Sequence, residues 1–171
     1  MDITYFESPG EQNTDSVLSI SKKRCEDLGI KYVLVPSVRG LAAEKSMDKF
    51  KNTEFTLFFV GVDPAKFSTE TKKRIEQSGF KLVFYKQIDY AYPDDMKNAL
   101  RRFGQGTKVA VELALIAARE EVTPKGTEVV SLGGTGKGLD TALTILPARS
   151  DKFDDLEVRE ILCKPRRTKI G

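Results

Sequence analysis

One short pattern occurs twice in this chain and narrows its fold more than anything else in it. A helix-forming stretch meets a glycine and passes at once into an apolar run. Leu28-Gly29-Ile30-Lys31 leads into Tyr32-Val33-Leu34-Val35, and Ser78-Gly79-Phe80-Lys81 leads into Leu82-Val83-Phe84-Tyr85. Glycine takes the left-handed backbone that ends a helix at little cost, so each pattern reads as a helix delivering the chain into a buried strand. Upstream, Asn13 or Thr14 suits the start of a helix reaching Leu28, and Ser68 the start of one reaching Ser78. A third apolar run, residues 55–60, follows a helix-like stretch at 41–51 and ends at Gly61 and a turn through Asp63-Pro64. Further runs lie at 129–132 and 141–146. A thinner one at 156–163 sets Leu156, Val158 and Ile161 among charged residues, a pattern that suits an edge strand. Continuous apolar strands alternating with helices predict an α/β sheet covered on both faces.

Composition removes several chemistries. The 171 residues suit one domain spanning 1–171, with no linker or low-complexity tract to divide it. There is no histidine, which excludes Ser-His and Cys-His nucleophile pairs and His-bearing zinc sites. Cys25 and Cys163 cannot form a four-thiolate metal site or a disulfide framework, so no metal is expected and a reducing cytoplasm is the default location. No run reaches the roughly 18 apolar residues of a membrane span, and the opening Met-Asp begins no basic-then-apolar leader. A net charge of +3 is too small to imply nucleic acid. The basic groups, including the tail Lys164-Pro165-Arg166-Arg167-Thr168-Lys169, read as solvated faces without aromatic residues interleaved for base stacking. Self-association into a homo-oligomer stays open.

The stretch 107–119 is the strongest helix, apolar nearly all round. Glu112, its interior acid, is either a carboxylate placed for chemistry or part of a narrow wet stripe with Lys108 and Arg119. The stripe is the favoured reading, because the three fall near one helical edge.

Two loops stand out as ligand candidates, each after a strand. Pro36-Ser37-Val38-Arg39-Gly40 joins a strand to a helix, where open backbone N–H groups and the helix dipole suit an anion. Gly133-Gly134-Thr135-Gly136-Lys137-Gly138 concentrates glycines that are costly to order unless the backbone bends sharply or something approaches closely. It is not a nucleoside-triphosphate loop, since Gly138 stands where the Mg²⁺-binding Ser/Thr should be, and its spacing misses the dinucleotide fingerprint. A tight structural turn is the plain alternative. With the 32–35 strand central, 55–60 and 81–85 stepping outward on one side, and 129–132 opening the other, right-handed crossovers bring the two loops together at the switch point.

These residues resemble the C-terminal α/β domain of pyruvate kinase, and more closely a stand-alone archaeal-type family of that domain. The likeness spans nearly the whole chain. It rests on Tyr5-Phe6, Pro9-Gly10 and Asn13-Thr14, on Phe103-Gly104-x-Gly106-x-Lys108-Val109-x-Val111-Glu112, on Gly133-Gly134-x-x-x-Gly138-x-Asp140-Thr141-Ala142, and on Arg159-Glu160-Ile161-Leu162-Cys163-x-Pro165-Arg166. The resemblance implies a three-layer α/β/α sandwich on a mostly parallel mixed sheet, with the strand near 141–146 antiparallel. It implies no catalytic residues. It also implies a phosphorylated ligand: an allosteric effector in pyruvate kinase, flavin mononucleotide in the stand-alone relatives. The family's phosphate loop, roughly Ser/Thr-x-Ser-Gly-x-Thr-Ala, falls on residues 37–43. Ser37, Gly40 and Ala43 match, while Arg39 and Ala42 remove two hydroxyls. Arg39 either compensates with a bidentate contact or faces solvent in a loop that has lost its ligand.

The resulting expectation is a binder of a phosphate-bearing small molecule, flavin mononucleotide first among them. Ser37, Val38, Arg39 and Gly40 would take the phosphate, and Gly133, Gly134 and Thr135 would form the opposite wall. Gly61 and Val62 would lie against a flat ring system. Asn13 and Thr14 would close one end or merely cap a helix, and Asp140 would accept N–H groups of the glycine-rich loop or brace a turn. A flavin-dependent oxidoreductase and a regulatory domain sensing a sugar phosphate are the alternatives.

Overall fold

The chain folds around a seven-stranded sheet. The structure is a computed structural model that describes residues 2–90 and 92–167. The strands are β1 (Thr4–Phe6), β2 (Tyr32–Pro36), β3 (Thr56–Gly61), β4 (Lys81–Phe84), β5 (Val129–Gly133), β6 (Thr141–Leu146) and β7 (Glu157–Pro165). They lie in the order β1-β7-β6-β5-β2-β3-β4, and all neighbours pair parallel except β6, which runs antiparallel to β5 and β7. The central position of β2 and the outward steps to β3 and β4 on one side and β5 on the other match the sequence expectation.

Alternation along each strand sorts the core into two layers. Val33, Val35, Leu57, Phe59, Val130 and Leu132 face one cluster with Val17, Leu18 and Cys25 of α1 (Thr14–Leu28), Ala42, Ala43 and Met47 of α2 (Leu41–Lys49) and Ile75 of α3 (Thr69–Gln77). Leu34, Phe58, Val60, Val129, Leu143 and Ile145 face the other. Opposite them sits α5 (Gln105–Arg119), whose residues 113–117 are all buried, with α4 (Asp94–Arg101) packed on α5 through Met96 and Leu100. The architecture is therefore a three-layer α/β/α sandwich.

Gly29 ends α1 in the left-handed conformation (φ 68°), and Ser68 caps α3 by accepting from the Thr71 N–H at 3.2 Å. Both follow the sequence reading. Three expectations change. The thin C-terminal strand is not an edge: β1, too short to carry a signal of its own, pairs outside it from Thr4↔Cys163 to Phe6↔Pro165. The apolar run at 81–85 stops at Phe84 and turns through a 3-10 segment, Tyr85–Gln87. Helix α4 is an addition to the sequence reading, although Met96, Ala99, Leu100 and Phe103 recur at helical spacing. Of the basic tail, Thr168 and Lys169 lie outside the described residues. Among those described, no helix is long and apolar enough to cross a membrane.

Candidate functional site

β2 and β5 pair only at Val33↔Val130 and Leu34↔Ser131, although they run on to Pro36 and Gly133. Their carboxyl ends part, as parallel strands do where the chain order reverses. A cavity of about 900 Å³ opens there, bounded by the ends of β2 and β3, the glycine-rich loop, α4 and α5. Its volume is within the range of small-molecule sites.

The loop after β2 contributes Ser37, Val38 and Arg39, and the end of β3 and its following loop contribute Gly61 and Val62. Ser37 is buried, and its Oγ accepts from the N–H groups of Gly40 at 3.2 Å and Ala43 at 3.3 Å, so it braces the first turn of α2. Its own N–H donates to the Val60 carbonyl at 3.0 Å. The Ser37 and Gly40 N–H groups, expected to take phosphate, are thus both engaged within the protein. The N–H groups of Leu41 and Ala42 remain open at the helix end among the described residues, as the first donors of a helix do. Gly40 lines no part of the cavity: it presses on α3, where a Cβ would stand 2.7 Å from Thr71 Oγ1. Arg39 is exposed at the cavity and has no carboxylate within salt-bridge distance among the described residues.

The glycine-rich loop is the turn of the β5–β6 hairpin, closed by the Asp140 N–H donating to the Gly133 carbonyl at 3.0 Å. Gly134, Gly136, Lys137 and Gly138 line the cavity, whereas Gly133 and Thr135 do not. Gly133 lies under α5, and a Cβ there would stand 1.9 Å from the Gly106 carbonyl oxygen. Its glycine is required by packing rather than by a ligand. Gly138 serves the same purpose against the N-terminal segment, where a Cβ would stand 2.5 Å from Glu11 Cα.

Asn13, Thr14 and Asp140 line no part of the cavity; Thr14 and Asp140 clamp that segment to the hairpin, and Asn13 bonds within the segment. Thr14 Oγ1 donates to the Glu11 carbonyl at 2.7 Å and accepts from the Leu139 N–H at 3.0 Å. Asn13 Nδ2 donates to the Ser8 carbonyl at 2.9 Å, and neither side chain caps α1 in the way the sequence suggested. Asp140 is fully buried. It accepts from the Gly10 N–H at 3.1 Å and from Thr141 Oγ1 at 2.8 Å, so it ties down the N-terminal segment and not the glycine-rich loop.

The wall that sequence reasoning missed is α5. Gln105, Lys108 and Glu112 form a polar track along it, and Val109, Leu113 and Ile116 an apolar track beside the first. These positions recur at helical spacing, so one face of α5 lines the cavity lengthwise. Lys108 and Glu112 are no wet stripe. They are 9% and 7% exposed, and Lys108 Nζ donates to Glu112 Oε2 at 2.5 Å. Arg119 stands apart from them, paired with Glu120 at 3.3 Å. The i, i+4 spacing signals that the two can pair, while their burial follows from the layers packed around α5. Helix α4 adds Asp94, Lys97 and Arg101. Lys97 pairs with Asp94 at 3.2 Å and stands over the Tyr92 ring, and Arg101 Nε donates to Gln105 Oε1 at 3.0 Å. Among the described residues the lining carries five cations against two carboxylates, and Arg39 is the cation with no side-chain partner there.

No family model matches the sequence. Among solved structures, the chain is similar to a pyruvate kinase from Cryptosporidium parvum, with 13% identity over 79% of this chain and 23% of that one and a TM-score of 0.49. It is also similar to Cryptosporidium parvum pyruvate kinase in complex with ADP, with 13% identity over 77% and 22% of the two chains and a TM-score of 0.44. The chain spans less than a quarter of the length of either.

Proposed function

We propose that this chain binds a phosphate-bearing small molecule, flavin mononucleotide first among the candidates, in the cavity at the carboxyl ends of β2, β3 and β5. The observation that carries the reading is Arg39. Among the described residues it lines the cavity without a carboxylate partner, beside the α2 terminus where the Leu41 and Ala42 N–H groups are open. A guanidinium and a helix N-terminus at one spot favour a dianion. The apolar track of α5 and Val62 on the opposite side suit a flat ring, and the cavity is large enough for a mononucleotide. The motif resemblance to stand-alone relatives of the pyruvate kinase C-terminal domain points the same way.

Flavin is its own reporter. A purified preparation that is yellow, or that quenches added flavin mononucleotide fluorescence saturably, supports the reading. Arg39→Ala should weaken that binding by about 1–3 kcal/mol, as expected for loss of a charge-assisted bond. Unchanged affinity would remove Arg39 from the site, and no binding would end the flavin reading. Bleaching by NADH would add redox chemistry.

A second reading, a regulatory domain sensing a sugar phosphate, is favoured by the polar track Gln105, Lys108 and Glu112, which suits hydroxyl groups better than it suits a hydrocarbon. A colourless protein whose melting temperature rises with a sugar phosphate would support it.

A further inference from the structure

Arg39 and the α2 terminus account for the anion end of the cavity and leave its apolar rim unused. Val38, Leu41 and Val62 line the cavity and are 45%, 46% and 44% exposed. The other large apolar side chains left exposed among the described residues, Ile3, Tyr5, Leu28, Phe103 and Val158, line no part of it. An exposed aliphatic residue standing alone needs no explanation, whereas a group of them on one rim marks a surface that something apolar covers. The fold brings the three together. β2 pairs with β3 as far as Pro36↔Val60, so Val38 and Val62 each follow the end of one of two neighbouring strands. Leu41 opens α2 two residues after the exposed Arg39. The polar groups of the α5 wall are meanwhile engaged with one another. Lys108 and Glu112 pair and are nearly buried, and Gln105 Oε1 accepts from Arg101 Nε at 3.0 Å.

We propose that Val38, Leu41 and Val62 select the body of the ligand, so that the cavity takes phosphate esters carrying a flat apolar ring and discriminates against sugar phosphates. This rests on the phosphate reading above and narrows it to one class of ester. With the phosphate at Arg39 and the α2 terminus, the ring covers the three aliphatic side chains and removes them from water. A sugar in the same place would lose water from its hydroxyls against an aliphatic surface that returns no hydrogen bond. The charge of Arg39 between Val38 and Leu41 in the chain fits an occupant that is anionic at one point and apolar beside it.

Calorimetric titration of the whole chain with 1-naphthyl phosphate and ribose 5-phosphate tests this, since the two share the phosphate and differ in the body. The wild type should bind 1-naphthyl phosphate about tenfold or more tighter. Val38→Ser and Val62→Ser should each weaken 1-naphthyl phosphate by about threefold or more and leave ribose 5-phosphate unchanged. Both side chains are exposed, so neither substitution opens the core. The inference alone is overturned if ribose 5-phosphate binds the wild type as tightly as 1-naphthyl phosphate, or if both serine variants keep the wild-type preference. Arg39→Ala separates this from the phosphate reading, because it should weaken both esters alike. Binding of 1-naphthyl phosphate that ignores Arg39→Ala, or a wild type that binds neither ester, overturns the phosphate reading and this inference with it.

Discussion

The two loops that meet at the cavity are built on opposite principles. The loop from Ser37 to Gly40 is held by a side chain, the Ser37 hydroxyl, which gathers two backbone N–H groups, and Arg39 between them lines the cavity. The loop from Gly133 to Gly138 is held by the absence of side chains. Gly133 lets α5 settle on β5, and Gly138 lets the N-terminal segment settle on the hairpin. In the sequence the second loop looks more like a ligand site than the first. In the folded molecule its glycines mainly accommodate the chain's own backbone. Glycine density signals close approach, and the approaching body can be the protein itself.

Three substitutions put that contrast at risk. Gly133→Ala should have the largest effect, about 3 kcal/mol in urea unfolding, because the added methyl meets a backbone carbonyl that cannot rotate away. A stable Gly133→Ala protein with altered ligand affinity would return this glycine to the binding site. Ser37→Ala should cost about 1–2 kcal/mol by the same measurement, since it orphans the Gly40 and Ala43 N–H groups. It should spare phosphate affinity, because those amides point inward to Oγ; a large loss of affinity with full stability would show the hydroxyl serving the ligand after all. Gly136→Ala should cost least, about 1 kcal/mol. Its φ of 76° strains an alanine, but among the described residues nothing beyond its chain neighbours lies within 4 Å of the new methyl. A Gly136→Ala penalty equal to that of Gly133→Ala would erase the distinction between conformational and packing glycines.

Much of the sheet was legible in advance because its signals are local. Gly29 and Ser68 bound their helices through chemistry confined to a few residues. The apolar runs in β2, β3, β5 and β6 are continuous because both faces of those strands are covered. What could not be read depended on partners far away in the chain. Residues 4–6 become a strand only because β7 offers an edge, and 157–165 stop being an edge for the same reason. Asp140 looks like a loop-orienting carboxylate until the Gly10 N–H, 130 residues away, is found against it. Lys108 and Glu112 read as solvated by the helical-edge argument, yet α5 is covered on enough sides to bury them.

The order and direction of the central strands, the crossovers between them and the meeting of two loops at their carboxyl ends were determined by the sequence alone. Each follows from periodicity, helix-ending glycines and the handedness of parallel connections. The identity of the cavity wall was decided only by tertiary structure. Which face of α5 lines a void and which glycines touch backbone both depend on how closely packed layers approach. That distance is set by the summed contacts of residues remote from one another, and no local pattern encodes it.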